Sequence, residues 1–136
     1  MDQTKREWLS RYIVKKRRAE GLKQRLEELR SGGSIRSAPL SGLPGSKRDT
    51  SITEDIGIKA IELRERVEAL ERTAKIYKSE ILKAIDALDD PTRAEILEKH
   101  FIYDQSLSSI ADELNYTERH AIRLYSRAVD EIELPF

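Results

Sequence analysis

The sequence predicts an all-α chain, with a long N-terminal helical hairpin or coiled coil leading into a small C-terminal domain of short helices. Three observations predict it. Apolar residues recur from Ile56 to Leu88 at alternating steps of four and three, the pattern of a long helix with one apolar seam. Charged residues make up 37% of the 136 residues and aromatics 6%, which supplies long helices and a small core but not one large globular core. Helix-start residues at Asp90-Pro91 and Thr117, with a helix-stop residue at Asn115, punctuate the last third.

Composition narrows the function classes. Cysteine is absent, which excludes disulfides and thiolate metal sites and suits a reducing cytoplasm. No apolar run approaches membrane-spanning length, and the charged N-terminus has no apolar stretch behind it. Neither a signal peptide nor a membrane anchor is expected. The net charge of zero hides a gradient: +5 over residues 1–30, +2 over 31–51, −3 over 52–90 and −4 over 91–136. A surface that grips phosphate is usually basic, so the acidic balance of the last segment weighs against nucleic-acid contact there.

The elements follow in order. Residues 1–30 form a charged helix whose Trp8, Tyr12, Ala19, Leu22, Leu26 and Leu29 share one face, interrupted by Lys15. Gly21 weakens it by about 1 kcal/mol relative to alanine, and Ser31-Gly32-Gly33 is expected to end it. Residues 31–51, with four glycines, Pro39, Pro44 and several serines, read as a flexible linker. Residues 52–89 form the long heptad helix, opened by Ser51 and Glu54 as a capping box. Its stripe runs Ile56, Ala60, Leu63, Val67, Leu70, Ala74, Tyr77, Ile81, Ala84 and Leu88. Such a helix cannot bury its stripe alone. Its partner is either the first helix, folded back through the linker, or a second copy of the chain, which would make the protein a homo-oligomer.

Residues 90–136 form the last domain. Asp90 is a good N-cap, and Pro91 fits the first helical turn. Ile96, Leu97 and Phe101 give that helix an apolar side, and Tyr103-Asp104-Gln105-Ser106 reads as a turn. Helices over roughly 107–114 and 117–131 follow. In the first, Leu107, Ile110 and Leu114 share a face, and Ala111 is small where two helices would approach closely. Asn115 sits where a left-handed residue is needed, and asparagine substitutes for glycine there. Thr117 caps the next helix, and Glu118 complements its positive end. Ala121, Leu124, Ala128 and Ile132 point inward. A short helix, a three-residue turn and a longer helix make a helix-turn-helix, which presents its second helix to the major groove of double-stranded DNA.

The outer face of that second helix carries Arg119, Arg123 and Arg127 four residues apart, with Ser126 beside them and Thr117, Glu118 and His120 near the helix start. Guanidinium forks match guanine edges and phosphate oxygens. Arg119, His120 and Arg123 are the expected base readers. Arg127 and Tyr125 fit phosphate contact or packing. In the alternative arrangement the stripe is a solvated face, tied down by pairs such as Arg127 with Asp130 or Glu131.

The pattern Leu-x-x-Ile-Ala-x-x-Leu from Leu107, the turn ending in Thr117, and Ala-x-x-Leu-x-x-Arg-Ala from Ala121 resemble the fourth region of bacterial sigma factors over residues 106–128. The wider architecture resembles phage RinA/ArpU-type late transcription regulators, which place a charged helical half before a sigma-like helix-turn-helix. The similarity is loose over most of the chain, and its motif-grade residues lie in the last third. It implies activation of phage late or packaging genes in the bacterial host cytoplasm. Asn115-Tyr116 departs from the usual glycine and small aliphatic residue. The weak basicity of the element points part of the phosphate contact to the N-terminal half.

In that half, Lys15-Lys16-Arg17-Arg18 is the one dense basic run, suited to a DNA backbone, to an acidic surface of RNA polymerase, or simply to a solvated helix flank. His100 and His120 lack partners at metal-ligand spacing. There is no nucleophile with a matching base and no phosphate-binding glycine loop. Neither an enzyme nor a cofactor is expected. The function expected is a sequence-specific DNA-binding transcription regulator. The alternatives are a phage small terminase subunit, which joins such elements to oligomerising helices, and a protein that docks on RNA polymerase without touching DNA.

Overall fold

A computed structural model of the protein describes the backbone of residues 1–40 and 46–136, and the side chains of residues 1–31 and 54–136. The described residues are all helical or irregular, with no strand among them. The elements are α1 (Gln3–Leu40), α2 (Ser46–Asp86), α3 (Pro91–Phe101), α4 (Leu107–Leu114) and α5 (Glu118–Glu131). No described helix is long and apolar enough to cross a membrane.

Both long helices outrun their expected ends. α1 continues to Leu40, through Ser31-Gly32-Gly33 where a stop was expected. Glycine permits the left-handed turn that ends a helix but does not impose it, at a cost of roughly 1 kcal/mol within a helix. α2 begins at Ser46, so Ser51 lies inside it rather than at its cap. The rest of the expected linker, residues 41–45, lies outside the described residues, as does the side chain of Ser51.

The chain divides into two compact units, one of Lys16–Arg72 and one of Met1–Lys15 with Thr73–Phe136. In the first, Leu22, Leu63 and Val67 are buried, with Leu26, Leu29 and Leu70 packed around them. Lys23 reaches Glu71 at 2.6 Å. That contact raises the lysine pKa, chiefly through its hydrogen bond to Glu71. At the surface such a pair is worth little, and the leucine and valine packing holds this unit.

The second unit extends beyond residues 90–136. Its core gathers Trp8 and Leu9 from α1, Ile81 and Ile85 from α2, Ile96, Leu97 and Phe101 from α3, Ile110 from α4, and Tyr125, Ala128 and Val129 from α5, closed by Ile102 and Ile132. Arg11 fixes the first turns of α1 against the end of α2. It bonds Glu80 at 2.9 Å, and its guanidinium sits 4.2 Å from the Tyr77 ring and 4.8 Å from the Trp8 ring. Together the two units cover the heptad stripe within one chain: none of the ten positions from Ile56 to Leu88 is exposed.

The caps explain where the short helices start. The Asp90 carboxylate accepts from the Thr92 amide at 2.9 Å, with Pro91 in the first turn. The Ser106 hydroxyl accepts from the Ser109 amide at 3.1 Å, and the Thr117 hydroxyl from the His120 amide at 3.1 Å. Each satisfies a backbone donor that the helix itself leaves unpaired.

Leu9 tests whether the N-terminal residues belong to the helix-turn-helix core. Its side chain is fully buried, so Leu9→Ala is expected to cost about 2–4 kcal/mol of unfolding free energy. Urea titration followed by the fluorescence of Trp8, the single tryptophan, measures this.

Candidate nucleic-acid interface

The joint between α4 and α5 determines where α5 points. Asn115 adopts φ 59° and ψ 38°, the left-handed region. Its amide donates to the Asp112 carbonyl at 3.3 Å, and the Tyr116 amide donates to the Ala111 carbonyl at 2.9 Å. These two bonds make a Schellman motif, which ends α4 and turns the chain within three residues into the Thr117 cap. Ala111 and Ala121 are both buried, and their small side chains let the two helices lie close.

Behind the joint, α5 is clamped along one face. Ala121, Tyr125, Ala128 and Val129 are buried. The Tyr125 ring stacks on Phe101 at 5.8 Å and meets the edge of His100 at 5.1 Å. Burial raises the Tyr125 phenol above its ordinary pKa of 10.0, and Arg6 from α1 opposes that rise by charge and by hydrogen bonding. Tyr125 therefore packs inside, and of the two roles open to it the structure uses packing. His100 is half-buried, with Nδ1 2.8 Å from the Gln105 carbonyl oxygen. It ties the α3–α4 turn to the same core.

The opposite face of α5 is bare. Arg119, Arg123 and Arg127 are all exposed. Four-residue steps advance the stripe by about 40° each, over about 12 Å of helix, roughly opposite Ala121 and Ala128. Among the described residues none of the three takes part in an ion pair or hydrogen bond. The pairing of Arg127 with Asp130 or Glu131 is not the arrangement found, because those acids are engaged elsewhere. Glu131 pairs with Arg93 of α3. The Asp130 carboxylate accepts from the Asp2 amide at 2.8 Å, and Lys5 donates to the Asp130 carbonyl at 2.6 Å. Lys5 also places a positive charge at the negative end of the α5 dipole. Glu113 of α4 is likewise paired, with Lys99. Glu131 and Glu113 are thus held by Arg93 and Lys99 of the same segment, which leaves its net charge of −4 unchanged but keeps those two acids off the arginine stripe.

The remaining expected contacts fall as follows. Thr117 and Glu118 are exposed at the start of α5, and Ser126 is half-buried beside the stripe. His120 is half-buried and meets the Tyr116 ring edge-on at 4.9 Å. These seven residues come together on one helix and its cap. Of the basic run, Lys16, Arg17 and Arg18 belong to the other compact unit, while Lys15 lies at the edge of this one. Lys15 and Lys16 are half-buried, and Arg17 and Arg18 are exposed. Lys5, Arg6 and Arg93, which hold the far end of α5, were missed by the sequence reading; no local pattern marks partners so distant along the chain. Among the described residues no cluster of His, Asp or Glu could hold a metal ion.

No protein-family model matches the chain, and neither the curated proteins nor the solved structures give a significant match to it. The site therefore stands on its own geometry.

Asn115 makes the turn testable. Asn115→Gly keeps the left-handed conformation and should leave stability within about 0.5 kcal/mol, whereas Asn115→Ala should cost about 1 kcal/mol. Thermal unfolding of the two variants beside wild type checks the order.

Proposed function

We propose that this protein is a sequence-specific DNA-binding transcription regulator, an activator of phage or prophage late genes, that inserts α5 into the major groove. One observation carries the DNA-binding reading: three guanidiniums without partners among the described residues project from the second helix of a helix-turn-helix, directly opposite its buried face. Leaving that much positive charge unpaired while neighbouring acids are taken up by other bases supports an external anionic partner. The resemblance to phage late regulators supports the activator role. Arg119 and Arg123, near the start of α5, reach base edges, where each bidentate fork favours guanine. Arg127, further along, contacts phosphate and sets register. Thr117 and Ser126 supply hydroxyl donors to the flanking backbone.

Fluorescence anisotropy with duplexes drawn from the DNA that encodes the protein, over a series of salt concentrations, tests the reading. Wild type should bind one sequence preferentially and weaken steeply with salt. The double variant Arg119→Ala/Arg123→Ala should lose about tenfold or more in affinity and lower the logarithmic salt slope by about 2. Unchanged binding by the double variant would overturn the assignment of α5 to the groove.

A further inference from the structure

Ile122 lies on the flank of α5, between buried Val129 and the arginine stripe, with 43% of its surface exposed. The helical repeat makes it one corner of a four-residue patch. Arg119 precedes it by three residues, Arg123 is adjacent in sequence, and Ser126 follows one turn later, so each corner meets its neighbours at three- or four-residue spacing. The buried face of α5 is already complete without it, formed by Ala121, Tyr125, Ala128 and Val129. Singly exposed apolar residues are ordinary on protein surfaces. This one differs in its surroundings: two guanidiniums with no partner among the described residues, and a hydroxyl.

The major groove offers one apolar group to such a side chain, the C5 methyl of thymine. We propose that Ile122 packs against that methyl and makes the protein require thymine at one position beside a base pair read by Arg119 or Arg123. The inference rests on α5 being the groove-facing helix. The two arginines hold the helix at the base edges by charge, and Ile122 adds discrimination that charge cannot supply, because cytosine and uracil lack the methyl. Burial of one methyl group corresponds to about three- to five-fold in affinity.

The test takes the best duplex selected by the wild-type protein from a random pool and replaces its thymines one at a time with deoxyuridine, which removes only the methyl. Wild type should lose about three- to five-fold at one or two positions and be indifferent elsewhere. Ile122→Ala should bind the parent duplex more weakly by a similar factor, keep the same salt dependence, and show no sensitivity to uracil at those positions. Ile76→Ala, which removes a more exposed isoleucine on α2, should retain it. A flat uracil scan with wild type, or a scan unchanged in Ile122→Ala, overturns the proposal while leaving α5 as the reading helix. If no duplex is selected at all, the assignment of α5 itself fails and the proposal falls with it.

Discussion

A helix that reads a groove has to be held on one face and bare on the other, and here the holding depends on the apolar core beneath α5. Tyr125, Ala128 and Val129 share that core with residues from both ends of the helical hairpin, among them Leu9, Ile81 and Ile85. Burial of a large aliphatic or aromatic side chain contributes about 1.5–3 kcal/mol, whereas an exposed ion pair contributes about 1 kcal/mol at most. The partly exposed Arg93–Glu131 pair therefore orients the end of α5 but does not secure it. What secures it is the inclusion of the start of α1, up to Lys15, and the end of α2, from Thr73, in the same unit. A bare three-helix segment of residues 90–136 would lack Leu9, Ile81 and Ile85 and expose the surfaces they cover.

Electrostatics then decides what the free face can do. Net charge over a segment is a poor guide to local potential, because paired charges largely cancel for a distant phosphate while unpaired ones do not. Residues 91–136 are acidic in sum, yet Glu131 and Glu113 are each matched by a base from another helix. Asp130 is turned toward the start of α1. What remains along α5 is a row of arginines facing solvent. Their fork geometry suits them to planar acceptors such as guanine edges and phosphates.

Much of this was legible in the sequence because it is local. Asp90, Ser106 and Thr117 act through amides two or three residues away, and Asn115 through its own backbone angle, so each announces itself without tertiary knowledge. The heptad stripe fixed which face of α2 is buried, although not what covers it. The parts that were not legible are long-range or weakly imposed. The place of Leu9 in the helix-turn-helix core depends on a hairpin closing, and the pairs of Arg93 and Lys5 on helices meeting in three dimensions. Gly32-Gly33 is of the second kind: glycine permits a helix to stop without requiring it, and α1 runs on to Leu40. At the candidate interface, the arginine stripe was readable from spacing alone. Its freedom from Asp130 and Glu131 was not, since those acids lie within reach along the helix and are withdrawn by partners distant in sequence.

Side-chain NMR of the arginines during titration with the preferred duplex tests the claim that α5 offers free guanidiniums most directly. The Nε–H resonances of Arg119 and Arg123 should shift and sharpen as the duplex is added, while that of Arg93, engaged with Asp90 and Glu131, stays in place. Shifts at Arg93 with none at Arg119 or Arg123 would contradict it.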